Sequence, residues 1–148
     1  QYLTLRKLAY TELEEQLYVN SFLNRLDIFF SGKANIQERC RFVVDILNSR
    51  ENRFSRIHES LVDTRSNLNS EVLKDICTIC SIDFRRFEEH TLFLDTVILK
   101  RRNSIAHGEE QYVHDEDIDN LVDRVIGLMR DFKNQLENRI YEEKYRAA

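Results

Sequence analysis

Apolar residues recur along this chain at steps of three and four, the spacing that lines one face of an α-helix. Val19, Phe22, Leu23, Leu26, Phe29 and Phe30 form the first such stripe and predict a long helix over about residues 4–30. Ser31-Gly32-Lys33 ends it, and Asn35 followed by Glu38 has the spacing of a capping box that starts a second helix. Ile36, Cys40, Val43, Leu47, Phe54, Ile57 and Leu61 are its predicted inner side, to about residue 62. Residues 63–70 are rich in capping and turn residues and carry no period, so they read as a connection.

Short helices are expected near residues 70–80 and 84–89. The stripe Leu94, Val97, Ile98, Ile105 marks another helix, which Gly108 terminates by taking the left-handed conformation. After a polar loop, Asp115 is the expected cap of a long last helix with Ile118, Leu121, Val122, Val125, Leu128, Met129, Phe132, Leu136 and Ile140 on one face. The predicted fold class is all-α: a helical bundle of three long and two or three short helices, in a single domain spanning residues 1–148.

Composition agrees, with no Pro and three Gly to interrupt helices in 148 residues. No apolar run approaches the roughly 20 residues of a membrane span, and no charged-then-apolar start suggests a signal peptide. A soluble cytoplasmic protein without membrane partners is the expectation, and Gln1 in place of Met fits a trimmed N-terminus. The net charge of −4 argues against a broad basic surface for duplex nucleic acid. Cys40, Cys77 and Cys80 are odd in number and fit reduced thiols rather than a disulfide framework. Cys77-Thr-Ile-Cys80 has no second ligand pair for a structural zinc site. Phosphate-cradling Gly loops and Gly-x-Ser-x-Gly elbows are missing, so no cofactor or metal is predicted. The acids Glu109, Glu110, Asp115, Glu116 and Asp117 read as charge favoured beside a helix N-terminus.

Arg102 and His107 could together serve phosphoryl transfer, the guanidinium neutralising phosphate oxygens and the imidazole moving protons. Spacing alone does not single them out, because Arg53 and His58, and Arg85 and His90, are also separated by four residues. Context does. Only Arg102 is followed by an amide, Asn103, which lies one helical turn before His107. Only His107 is followed by Gly, and Lys100, Arg101 and Arg102 form a compact cationic run that would attract a phosphodiester.

The segment Leu99-Lys-Arg-Arg-Asn-Ser-Ile-Ala-His-Gly-Glu109 resembles the signature of HEPN domains. Ser66-Asn-Leu-Asn-Ser-Glu-Val-Leu-Lys74 and Phe132-Lys-Asn-Gln-Leu-Glu-Asn138 extend the likeness toward the MAE-type HEPN subfamily. The resemblance implies a helical bundle that dimerises so that two motifs face one cleft, and a metal-independent endoribonuclease of a toxin–antitoxin or antiviral system, with an antitoxin or defence-system partner. HEPN toxins controlled by tyrosine nucleotidylation carry a Tyr two residues after the His; Glu109 stands there, so the resemblance does not extend to that control.

The expected site is therefore Arg102, His107 and Asn103 acting on RNA, with Lys100 and Arg101 holding flanking backbone and Asn103 bonded to His107 or the phosphate. In a regular helix five residues rotate by about 140°, so Arg102 and His107 do not share a face; either the helix ends at His107 and frees it to swing, or a two-fold homodimer apposes two motifs, and the dimer is the expected solution. The alternatives are a non-catalytic module that binds RNA or a partner protein, or a dimerisation scaffold, within a larger defence assembly.

Overall fold

The computed structural model describes residues 2–49, 52–54, 62, 68–108 and 115–148. The chain is all-α, as predicted; among the described residues there are isolated β-bridges but no strand. It divides into two compact units, residues 1–62 with 142–148, and residues 63–141.

In the first unit, α1 (Tyr2–Arg6), α2 (Glu15–Asn20) and α3 (Leu23–Phe30) replace the single helix predicted over about 4–30. Lys7, at φ 49°, closes α1, and a 3-10 turn comes next at Tyr10–Glu12. The interruption comes from non-local backbone pairing: Phe54 N–H donates to Leu8 O at 2.7 Å, Tyr10 N–H to Asn52 O and Glu14 N–H to Tyr145 O. Leu8, Leu13, Phe54 and Tyr145 are buried together at that junction. Helical periodicity carries no sign of such pairing, because its partners are more than 40 residues away.

Helix α4 (Ile36–Leu47) starts on the predicted capping box, with Asn35 Oδ1 accepting from Glu38 N–H at 2.9 Å and Glu38 Oε2 accepting from Asn35 N–H at 2.8 Å. It stops far short of residue 62. The Ser49 hydroxyl turns back to Ile46 O at 2.7 Å and meets the Tyr18 hydroxyl at 2.9 Å, side-chain bonding that competes with helix propagation. The buried side of α4 is also not the predicted one. Phe42 is buried and Ile46 half-buried, whereas Ile36, Cys40, Val43 and Leu47 are exposed. Ile57 and Leu61, together with His58, lie outside the described residues.

The second unit agrees with the sequence more closely. Helix α5 (Ser70–Ile79) is capped by Asn69, a 3-10 helix runs over Phe84–His90, and α7 spans Asp115–Tyr141. Asp115 is the first residue of α7 rather than its cap. Leu73, Cys77, Ile82, Phe87, Leu94 and Leu128 form the core, with Ile98, Phe132 and Leu136 packed on it. Leu121 and Val125 of the predicted α7 face are half-buried, while Ile118, Val122, Met129 and Ile140 are exposed: the apolar stripe is wider than the core it meets.

Between the 3-10 helix and α6 (Leu99–Ala106) the chain winds as a π-helix over Phe93–Ile98, with Leu99 N–H donating to Leu94 O five residues back. The Thr96 hydroxyl donates to Leu92 O at 2.6 Å and so competes for a carbonyl that an α-turn would use. Asp95 accepts from Ser70 N–H at 2.8 Å and from Ser70 Oγ at 2.6 Å, tying the wide turn to the start of α5. A π-turn adds one residue and rotates the helix beyond it by about 100° relative to an uninterrupted one. Ile105, expected in line with Leu94, is accordingly 68% exposed, and Ser104 is buried instead.

These burial patterns give opposite expectations for two leucines that the periodicity treats alike. Leu94→Ala should cost about 2–5 kcal/mol, whereas Leu47→Ala should change stability by less than about 0.5 kcal/mol. Chemical denaturation of the two variants distinguishes them.

Candidate functional site

The second unit presents the cationic run on α6, the short helix that continues from the π-turn. Lys100 and Arg102 are exposed, and Arg101 and Asn103 half-buried. Arg102 Nη1 donates to Asn103 Oδ1 at 3.2 Å, so the amide oxygen pairs with the guanidinium rather than with His107. That bond leaves the Asn103 amide NH2 as a donor.

His107 is the C-cap residue of α6, at φ −90° and ψ 3°, and its backbone N–H closes on Asn103 O at 3.0 Å. Gly108 comes next at φ 71° and donates to Ile105 O at 3.1 Å, an arrangement found where a left-handed residue terminates a helix. A side chain at this φ is disfavoured by about 1–2 kcal/mol. The turn leaves the imidazole exposed at the helix end. Arg102 and His107 are thus presented by one element, five residues and about 140° apart, with no bond between their side chains among the described residues.

The other two Arg-to-His spacings are occupied by structure. Arg85 is bound to Asp83 by Nε at 3.0 Å and Nη2 at 2.7 Å. Hydrogen bonding from Arg85 holds the Asp83 carboxyl below the usual carboxylate range. Asp83 also caps the 3-10 helix through Arg85 N–H, and His90 is half-buried with Nε2 3.7 Å from Glu89 Oε1. Arg53 Nη1 donates to Lys7 O at 3.0 Å beside the Ala9–Arg53 bridge. Its partner in the spacing, His58, is outside the described residues. Arg102 carries no comparable structural bond to backbone or carboxylate among the described residues.

Sequence reasoning missed Arg124 and Asn120 of α7. Together with Arg101, Phe93, Val97 and Leu121 they line a cavity of about 170 Å3. The Arg124 guanidinium lies 3.9 Å from the centre of the Phe93 ring. Their position inside the last-helix stripe hid them: only the packing of α7 beside the π-turn brings them to Arg101. A larger cavity of about 580 Å3 in the first unit includes Tyr10, Leu13, Tyr18 and Arg146 in its lining and none of the predicted site residues.

Among the described residues, no three His, Cys, Asp or Glu side chains are gathered as a metal-binding group, and no helix is long and apolar enough to cross a membrane. Cys77 is fully buried, and burial first, then Cys80 and Asp83, pushes its thiol up to about 11. Burial raises Cys80 as well, while Cys40 is exposed. Because the thiolate is the reactive form, iodoacetamide at pH 8 should alkylate Cys40 and spare Cys77 until the protein is unfolded; mass mapping of the native and denatured protein reads this directly.

Comparison with known families places the RiboL-PSP-HEPN pattern on residues 1–138, across both compact units. No curated protein and no solved structure gives a match. The flanking segments resemble the MAE type, but the family matched is RiboL-PSP-HEPN. The chain belongs to this family, and with it to the HEPN superfamily.

Proposed function

We propose that this HEPN-family chain is a metal-independent endoribonuclease that cuts RNA at a composite site, with Arg102 and His107 supplied by two copies of the chain. HEPN domains are often RNases, which supports an RNA-directed role. The observation that carries the assignment to these residues is the difference among the three matching spacings. Arg85 is committed to Asp83 and Arg53 to Lys7 O, while Arg102 and His107 are both exposed on one helix and its cap.

In this reading the imidazole of His107 removes the proton from a ribose 2′-OH. The alkoxide attacks the adjacent phosphorus, the bond from phosphorus to the 5′-oxygen breaks, and that oxygen takes a proton from the second imidazole. The products are a 2′,3′-cyclic phosphate and a 5′-hydroxyl. Arg102, oriented by Asn103, stabilises the charge that gathers on the phosphate oxygens, and Lys100 and Arg101 hold the flanking strand. DNA is not cut, because it lacks the nucleophile.

Two copies solve the angular problem. With Arg102 and His107 about 140° apart on their helix, one copy aims them in different directions, whereas a two-fold axis brings an Arg102 of one copy toward a His107 of the other. The exposed Ile105 between them fits a surface covered by that second copy. A role as toxin or antiviral effector, held by an antitoxin or system partner, belongs to the same proposal.

Purified protein should cleave single-stranded RNA in the presence of chelator. His107→Ala should lower the rate by roughly 100- to 10,000-fold and Arg102→Ala by roughly 100- to 1,000-fold, with Arg53→Ala, His58→Ala, Arg85→Ala and His90→Ala remaining active. No cleavage in chelator, or full activity of both motif variants, overturns the enzyme and leaves a non-catalytic module. Light scattering should show a dimer, and a strictly monomeric active protein would sink the composite site.

A further inference from the structure

We infer that the cavity between the π-turn and α7 is a phosphate-binding pocket that holds a phosphodiester of the RNA strand beside the cut, with Arg124 and Asn120 as binding residues together with Arg101. The inference rests on the RNA-directed reading above, but its chemistry is independent of catalysis. Among the described residues that line the cavity, the polar side chains are two guanidinium groups and one amide; Asp119 and Asp123, the chain neighbours of these residues, are not part of that lining. At about 170 Å3 it has room for a phosphate group with little else.

The Arg124 guanidinium is held 3.9 Å over the ring of Phe93, which is itself buried. Such stacking uses the face of the guanidinium and leaves its in-plane N–H donors for oxygen acceptors. Among the described residues Arg124 forms no ion pair, although the chain has more acids than bases. An arginine stacked on a buried ring and lining a small cavity together with a second Arg matches an oxyanion ligand. Arg101 precedes Arg102 by one residue, about 100° round the helix, so a strand crossing α6 would reach the pocket next to the reacting phosphate.

The test is fluorescence anisotropy with a single-stranded RNA 2′-O-methylated throughout, so that it cannot be cut, over a series of salt concentrations. Arg124→Met keeps the aliphatic stem on Phe93 and removes the charge; it should weaken binding roughly tenfold, equally for oligo-U and oligo-A, and flatten the salt slope by about 0.7. Arg124→Lys should restore most of the affinity, and Asn120→Asp, at an exposed position, should weaken binding at least as much as Arg124→Met. Unchanged affinity and slope in both Arg124→Met and Asn120→Asp overturn the pocket even if cleavage is intact. If the protein cuts nothing and these variants still weaken binding, the nuclease reading fails and the pocket stands. Displacement of the oligonucleotide by inorganic phosphate beyond that by chloride of equal ionic strength, lost in Arg124→Met, supports the pocket as a phosphate site of the strand, whereas Arg124-dependent binding of phosphate that leaves the oligonucleotide bound assigns the pocket to a free phosphate and overturns the RNA strand as its ligand.

Discussion

The π-turn at Phe93–Ile98 is the constraint on which the rest of the second unit depends. Wide turns of this kind are rare because they depart from the geometry of the α ladder. Here Phe93 and Leu94 are nearly inaccessible to solvent, and burial of side chains of that size stabilises by about 1.5–3 kcal/mol each. The Asp95 carboxylate, taken up by Ser70, fixes the same segment from its outer side. The turn decides the rotation of everything on α6. It moves Ile105 out of the core, places Arg101 beside Arg124 and leaves Arg102 in solvent. Gly108 then fixes where the helix ends and hence where the imidazole stands.

Electrostatics complete the selection that geometry begins. An acidic chain with abundant arginines tends to satisfy them internally, and Arg85 on Asp83 and Arg25 on Asp45 are instances. Such exposed pairs contribute little to stability, but they remove those cations from the set that can meet a ligand. Lys100 and Arg102 on α6 and Arg124 on α7 make no ion pair among the described residues. An excess of negative charge elsewhere is compatible with a local positive field around α6, since charges farther apart than about 8 Å are screened at physiological salt. Strand binding at such a site depends on a few phosphates and not on the net charge of −4.

Family membership and local geometry bear on different parts of the reading. The match across residues 1–138 fixes the superfamily and makes an RNA-directed role the natural starting point. It does not choose among three Arg-to-His spacings. In the sequence the context of Arg102 distinguishes it, and the structure adds hydrogen bonds that spacing does not encode: the Asp83 carboxylate on Arg85, the Lys7 carbonyl on Arg53 and the Asn103 amide on Arg102.

The sequence by itself determined the helical class, the Asn35 start, a short helix near residues 70–80, the Gly108 stop and the position of the Arg–His segment at a helix end. Each of these depends on residues within a few positions of one another, where capping bonds and φ preferences act. The tertiary structure alone decided that residues 4–30 are broken into separate helices, that α4 turns Phe42 inward and Leu47 outward, and that Arg124 joins Arg101 around one cavity. Those outcomes depend on backbone pairing between distant segments and on a π-turn whose cost is met by burial. A stripe of apolar residues records that a helix has an inner side; which part of a wide stripe is used depends on the surface it meets.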